Sequence, residues 1–329
     1  MKLAATVFAA ASGALALASS ALAASQFVRL PDDRRIWVEH DPAPAGKPTL
    51  VLLNGLTYAT KDWRPLTREL KARGLGVLRL DFEGQGKTLA EHGPATAAYP
   101  YADQAKDVVL VLEALAVDAP VDVVGLSYGG GIAVALGGLH PDKVRSLVLL
   151  APYTQPVQAQ DDWVRTQVAY ARALNPLNPA TDDELYDHYM RLLIYGTYPM
   201  VEPSLLDHPY RLEAAYRLVQ GIRKLPVEEL SSQFADQALH LVVAGEDQYL
   251  TSGELDRFWR ETPARARGSR IVLQGVQHKI PEIVPKYLAA WLALVAAGDA
   301  RLTGGASFRG LPAAGEARSG SVVIPMPVE

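Results

Sequence analysis

Apolar positions along the chain come in two rhythms. Short continuous runs are ended by turn residues, and longer stretches repeat at helical spacing. Thr49–Leu53 is an unbroken apolar run closed by Asn54-Gly55, the pattern of a buried strand meeting a turn. Asp62–Arg73 carries Trp63, Leu66 and Leu70 at helical spacing and stops at Gly74. Strand Gly76–Leu80, helix Tyr101–Leu115, strand Val121–Val124, helix Tyr128–Leu139 and strand Val144–Leu150 follow. Upstream, two short apolar stretches between Phe27 and His40 flank Pro31-Asp32-Asp33, which suits a hairpin. Strands alternating with helices predict an α/β fold with a mostly parallel sheet covered on both faces.

The alternation breaks after Ala151. Residues 152–238 read as helical, with Val164, Val168 and Ala171 on one face and Leu185, Tyr189 and Leu192 on another. Thr181 and Glu184 have capping-box spacing. The strand–helix pattern resumes with strand Leu239–Ala244, a helix near Glu254–Arg260, strand Ile271–Leu273 and a closing helix from about Glu282 to Ala297. An insertion between two sheet strands is expected to form a lid over the strands' C-terminal ends. The expected organisation is therefore a core of residues 24–151 and 239–297, a helical cap of residues 152–238, and a tail of residues 298–329 with weak strand character at Val322-Val323-Ile324.

The first 23 residues stand apart. Met1-Lys2, an Ala/Leu/Val-rich run, and Ala21-Leu22-Ala23 have the layout of a secretory signal peptide cleaved after Ala23 or Ala24. The run is rich in Ala with Ser and Gly interspersed, too weakly apolar to suggest a stable membrane anchor. Export to a bacterial periplasm or beyond is the expectation. The 329 residues include no Cys, so disulfides, thiolate nucleophiles and Cys-ligated metals are excluded. A net charge of −4 and the lack of long runs of like charge argue against nucleic-acid binding. No H-E-x-x-H, Walker-type loop or dinucleotide fingerprint is present, and Gly84-Gln85-Gly86-Lys87-Thr88 lacks the leading Gly of a phosphate loop and reads as a turn.

The chemistry concentrates at Gly125-Leu126-Ser127-Tyr128-Gly129, between an apolar strand and a Gly/Ala-rich helix. A serine held in a sharp strand-to-helix turn needs flanking glycines, because side chains there would meet backbone. Serine also needs a base. Of seven His, His278 in the loop before the last helix is the one that can return to Ser127; His40, His92, His140, His188, His208 and His240 read as surface or satisfied polar residues. The base wants an orienting carboxylate, and strand Leu239–Ala244 ends in Gly245-Glu246-Asp247-Gln248. Asp247 is the chosen acid, with Glu246 next. Two backbone N–H groups must face the developing oxyanion: Tyr128, directly after the serine, and Leu56 in the Asn54-Gly55-Leu56-Thr57 turn.

With these motifs and the Asp81…Gly84…Gly86 turn, residues 27–297 resemble the α/β-hydrolase superfamily with a helical cap, esterase- or lipase-like. The resemblance implies cofactor-free and metal-free hydrolysis of esters, lipids, thioesters or peptides. The chain departs from the family pattern in two places. Asn54 stands where the oxyanion turn usually has His, and Gln248 stands where the acid usually lies, three residues after the strand-end Gly. Ser127 at the elbow disfavours epoxide hydrolases and dehalogenases, whose elbow residue is a carboxylate. The expected function is an exported serine hydrolase acting on a small acyl ester or lipid, with Trp163, Tyr170, Tyr189 and Tyr195 as candidate pocket aromatics. Two alternatives remain: an aminopeptidase-like enzyme whose Asp182, Asp183 or Glu184 holds a substrate ammonium, and a non-catalytic binding protein suggested by the displaced acid.

Overall fold

The computed structural model describes residues 24–95, 97–155, 157–223, 230, 233–234 and 237–327. The expected signal segment lies outside them. Strands β1 (Ala24–Arg29), β2 (Arg35–Asp41), β3 (Thr49–Leu53), β4 (Gly76–Asp81), β5 (Val121–Leu126), β6 (Val144–Leu150), β7 (Ala238–Ala244), β8 (Arg267–Leu273), β9 (Ala306–Leu311), β10 (Glu316–Ser319) and β11 (Val322–Pro325) form one sheet among the described residues. Their order is β1-β2-β4-β3-β5-β6-β7-β8-β9-β10-β11. From β4 to β9 the pairings are parallel, and both edges are antiparallel. The central strands β4 and β5 are buried at every position, which is why they read as mostly apolar runs, with Arg79, Asp81 and Asp122 the charged residues among them.

Among the described residues, the α-helices are α1 (Arg64–Ala72), α2 (Gly86–His92), α3 (Tyr101–Ala114), α4 (Tyr128–Leu139), α5 (Gln158–Leu174), α6 (Asp182–Val201), α7 (Arg211–Ile222), α8 (Ser252–Glu261), α9 (Ile280–Ile283) and α10 (Pro285–Ala296). α1 packs with α10 and α3 with α4, so the sheet is covered on both faces. The core between these layers includes the fully buried Trp63, Trp291, Tyr101 and Tyr128. Glycine lets α4 lie close to its neighbours: a Cβ on Gly131 would sit 2.3 Å from the Tyr101 ring. Helices α5, α6 and α7 form the insertion between β6 and β7, the helical cap. The Gly84–Thr88 turn runs directly into helix α2, which the sequence reading does not resolve because it opens on a glycine.

Register decides where the chemistry goes. Leu53 pairs with Gly125, Leu126 with Leu150, Leu150 with Val242, and Ala244 with Leu273. The strands' C-terminal ends are therefore level, and the turns that follow them share one rim. Strand order reverses at β3, which lies between β4 and β5: the chain runs from β3 outward to β4 and then crosses back past β3 to β5. The crevice outside such a switch point is where ligands bind in open α/β sheets.

The segment expected as a tail is built into the sheet. β9 lies parallel to β8, with Phe308 opposite Ile271, and β10 and β11 extend the edge as antiparallel strands. Phe308 meets Trp291 of α10 edge-on at 5.3 Å, and the Tyr287 hydroxyl donates to the Glu316 carbonyl at 2.8 Å. The alternation of β9 was hard to read because its buried positions are Phe308 and Gly310. A Cβ on Gly310 would come within 2.5 Å of the Leu273 side chain, so close packing has removed the apolar residue that would have signalled a strand.

Candidate active site

Ser127 sits between β5 and α4 with φ 50° and ψ −115°. This is a strained backbone for a non-glycine residue, costing about 1–3 kcal/mol. Surrounding hydrogen bonds hold it: the Ser127 N–H donates to the Leu150 carbonyl at 2.8 Å, and the Ser127 carbonyl accepts from Gly130 and Tyr153, each at 2.8 Å. Close approach explains the flanking glycines. A Cβ on Gly125 would lie 2.3 Å from the Gly129 carbonyl oxygen, and one on Gly129 would lie 2.2 Å from the Leu53 carbonyl oxygen.

His278 follows β8 and faces the same cavity as Ser127. Its Nδ1 is 2.7 Å from Asp247 Oδ2. The other carboxylate oxygen, Asp247 Oδ1, accepts the backbone N–H groups of Tyr249 at 2.8 Å and Leu250 at 3.0 Å. Asp247 thus folds the chain over itself into a turn and presents its second oxygen to the imidazole; its side chain is only 3% exposed. Burial alone would push this carboxyl up, but the His278 contact and the two N–H donors outweigh it and hold it below the ordinary carboxylate value. The tight turn absorbs the one-residue displacement from the family's usual acid position. Gln248 occupies that usual position, accepts the His278 backbone N–H at 3.4 Å and faces the cavity. Glu246 is exposed, and its backbone N–H anchors the loop on the Val276 carbonyl at 2.9 Å. Tyr249 packs edge-on against the His278 ring at 4.9 Å.

The turn after β3 is held by a buried polar cluster. Asn54 Nδ2 donates to the Leu80 carbonyl at 3.0 Å and to Asp81 Oδ1 at 3.2 Å, while its Oδ1 accepts from Trp63 Nε1 at 2.7 Å. Asn54 therefore satisfies all of its neighbours in place of the usual histidine. Asp81 accepts from the backbone of Thr60 at 2.6 Å and of Lys87 at 2.9 Å. Burial pushes its carboxyl up against those bonds. Gly86 (φ +46°) is required here, since a Cβ would fall 2.1 Å from the Asp81 carboxylate. Gln85 then donates to the Gly55 carbonyl at 2.9 Å, fixing the turn that carries Leu56. Leu56 lines the cavity. Tyr128 is the first residue of α4, where the N–H has no acceptor within its own helix; its ring is buried against Tyr101 at 4.9 Å.

The cavity has a volume of about 400 Å³ and is bounded below by Gly55–Tyr58, Leu126, Ser127, Gln248–Leu250, His278 and Lys279. Its roof comes from the cap: Val157, Gln160, Leu193, Thr197, Tyr198, Val201 and Glu202. The aromatic wall is Tyr58, Tyr153, Tyr198 and Tyr249, a correction to the expected set. Trp163, Tyr170 and Tyr195 are 40%, 63% and 37% exposed, and Tyr189 packs on the core without lining the cavity. Helix phase explains the difference. Leu193, Thr197 and Val201 recur every fourth residue on the α6 face that looks down, whereas Tyr195 turns away to hydrogen-bond Glu213. The cap acids suggested for an ammonium also lie elsewhere: Glu184 is spent on the Thr181 capping box, Asp182 binds Arg172 at 2.7 Å, and Asp183 lies 3.6 Å from Arg223.

Two charged cavity residues escaped the sequence reading. Glu202, at the end of α6, accepts from Lys279 Nζ at 2.9 Å and from Ser204 Oγ at 2.6 Å. Burial would lower Lys279, but the contact with Glu202 more than offsets it and raises the ammonium above its ordinary value. Lys279 could have been noticed as the neighbour of His278; Glu202 carried no signal, because its placement depends on how the cap docks.

Residues 48–225 match the alpha/beta hydrolase fold family. The chain is 30% identical over 156 residues to a proposed carbamate hydrolase of Caulobacter vibrioides (strain NA1000 / CB15N), a stretch covering 47% of this chain and 54% of that protein. It is 42% identical over 75 residues to a pimeloyl-[acyl-carrier protein] methyl ester esterase of Neisseria meningitidis, covering 22% of this chain and 27% of the relative. The matches thus span about half or less of these relatives' length. Among solved structures, an alpha/beta hydrolase enzyme from a Medee basin deep-sea metagenome library superposes with a TM-score of 0.62 at 19% identity, covering 84% of this chain and 98% of that one. With more than half of the chain matched, a serine elbow at the sheet's switch point and a helical cap above it, the protein is a member of the alpha/beta hydrolase fold family.

Proposed function

We propose that the protein is an exported serine hydrolase that cleaves carboxylic esters through an acyl-enzyme on Ser127. The observation that carries this reading is the strained Ser127 in one cavity with a His278 imidazole bound through Nδ1 to a buried carboxylate. Asp247 on Nδ1 leaves Nε2 as the base. In the proposed reaction His278 Nε2 takes the Ser127 hydroxyl proton as Oγ attacks the substrate carbonyl carbon. The Leu56 and Tyr128 amides hold the oxyanion. Collapse of the tetrahedral intermediate breaks the ester C–O bond, and His278 returns its proton to the departing alcohol. A water, deprotonated by the same imidazole, then releases the acid and regenerates Ser127. The two curated relatives are named for carbamate and methyl ester hydrolysis, reactions at the same kind of carbonyl. Export rests on the signal-like N-terminal segment.

The aminopeptidase reading loses support, because the cap carboxylate in the cavity, Glu202, already pairs with Lys279. The Asp247–His278 contact likewise removes the motive for a non-catalytic reading. The test is hydrolysis of nitrophenyl acyl esters of increasing chain length beside aminoacyl anilides, with Ser127→Ala as control. Ester turnover abolished in Ser127→Ala is expected; anilide turnover exceeding ester turnover, or wild-type turnover equal to that of the variant, overturns the proposal. Recovery of mature protein beginning at Ala24 or Ser25 from the periplasm or medium tests export.

A further inference from the structure

Beside the imidazole, the cavity wall changes character. Much of the rest is aliphatic and aromatic, with Thr57, Gln160 and Thr197 as neutral polar exceptions, but Lys279 directly follows His278, and Gln248 touches the His278 backbone. Both side chains line the cavity. Among the described residues, Lys279 Nζ makes one hydrogen bond, to Glu202 Oε2, which leaves two N–H donors on the ammonium. Glu202 turns its other oxygen to Ser204, so it holds the ammonium from the cap side. Gln248 Oε1 is taken by the His278 N–H, which leaves its NH2 group as a donor. One cation and one amide donor thus flank the group that hands a proton to the departing alcohol.

We propose that Lys279 and Gln248 form a subsite for a carboxylate on the leaving-group half of the substrate. The substrate class is then an ester with an apolar or aromatic acyl part and an acidic alcohol or phenol. This inference rests on the serine hydrolase reading, since it needs His278 to mark the leaving-group side. The apolar acyl half fits the remaining wall, formed by Leu56, Leu126, Val157, Leu193, Val201 and Leu250. The acid's displacement to Asp247 makes the subsite available: it frees the next position for a neutral, donor-bearing side chain where a second carboxylate would repel an anion.

The experiment compares kcat/KM for phenyl butyrate and for 3-carboxyphenyl butyrate, whose meta carboxylate adds charge with little change in leaving ability. Wild type is expected to favour the carboxylated ester. In Lys279→Met the ratio of the two kcat/KM values falls about tenfold or more, the loss of a charge-assisted hydrogen bond, while Lys279→Arg keeps most of it. Glu202→Gln raises the ratio by removing the competing anion. These opposite directions separate recognition from support, because a pair that merely braces the cap against the core would shift the ratio the same way in both variants. An unchanged ratio in Lys279→Met, or a shared direction, overturns the subsite. A wild type that hydrolyses both esters with no preference defeats the subsite alone, whereas a wild type silent on both defeats the hydrolase reading as well.

Discussion

Replacing Asp247 with Asn tests the proposed chemistry at its most structured point. In the wild type, Oδ1 accepts two backbone N–H groups and Oδ2 faces His278 Nδ1. An asparagine must keep its carbonyl oxygen on those two N–H donors, because an NH2 group there would meet Tyr249 N–H and Leu250 N–H head-on. Its NH2 is therefore presented to His278 Nδ1, which has to become the acceptor. The ring proton moves to Nε2, and the nitrogen that should take the Ser127 proton is blocked. Loss of the equivalent carboxylate function in a serine-protease triad costs about 10⁴ in kcat. The expectation here is a fall of about 10³–10⁴, or roughly 4–5.5 kcal/mol of barrier at 1.36 kcal/mol per tenfold. KM should move far less, since Asp247 is buried behind the histidine. The assay is steady-state hydrolysis of a nitrophenyl ester at neutral pH, with melting temperature as the check on folding. Glu246→Gln, at the exposed neighbouring position, should keep the parental rate. The reasoning fails if Asp247→Asn, still folded, keeps more than about a tenth of wild-type kcat, or if Glu246→Gln is the variant that collapses.

Three further outcomes follow from the packing. Gly129→Ala would drive a methyl to 2.2 Å from a β3 carbonyl oxygen, with no side-chain rotation to relieve it; overpacking of this kind costs about 1–3 kcal/mol or more, and chemical denaturation should show at least that loss. Phe308→Ala should cost about 3–5 kcal/mol in the same measurement, the figure for a large buried aromatic, and a near-zero cost would mean the C-terminal strands contribute little to the fold. His240, buried in β7 with Nδ1 2.9 Å from Ser269 Oγ, has its pKa lowered to about 4 by burial. The unfolded chain therefore binds its proton first, and stability present above pH 6.5 should drain away between about pH 6.5 and 4, by on the order of 3 kcal/mol. His240→Gln should flatten that part of the stability–pH curve, and an unchanged slope would assign the acid sensitivity elsewhere.

Much of this molecule is legible in its residues because the information is local. The strands β3 and β6 and helix α4 match the expected bounds residue for residue, since two-sided burial leaves a largely apolar run, broken in β6 only by Arg145 and Ser146, and a strand-to-helix turn leaves glycines. Ser127, His278 and the Gly245–Gln248 strand end stand out for the same reason: each follows a strand, and parallel register brings strand ends to one rim. The choice between Glu246 and Asp247 as the imidazole's neighbour was different. It turned on which carboxylate the loop closes around, and only the two backbone N–H donors of Tyr249 and Leu250 decide that. The pocket's tyrosines and the Glu202–Lys279 pair depend on the phase and docking of α6, a rotation that an amphipathic pattern defines too loosely to say which aromatic looks down. Strand β9 was hidden because Gly310 packs by having no side chain, whereas β11 shows in the sequence as the weak strand character at Val322-Val323-Ile324. Sequence alone determined the parallel core of the sheet, the cap's place in the chain and the nucleophile's turn, because burial and backbone geometry write those into neighbouring residues. Tertiary structure alone decided the cavity's walls, because they join residues whose only relation is the distance that folding closes.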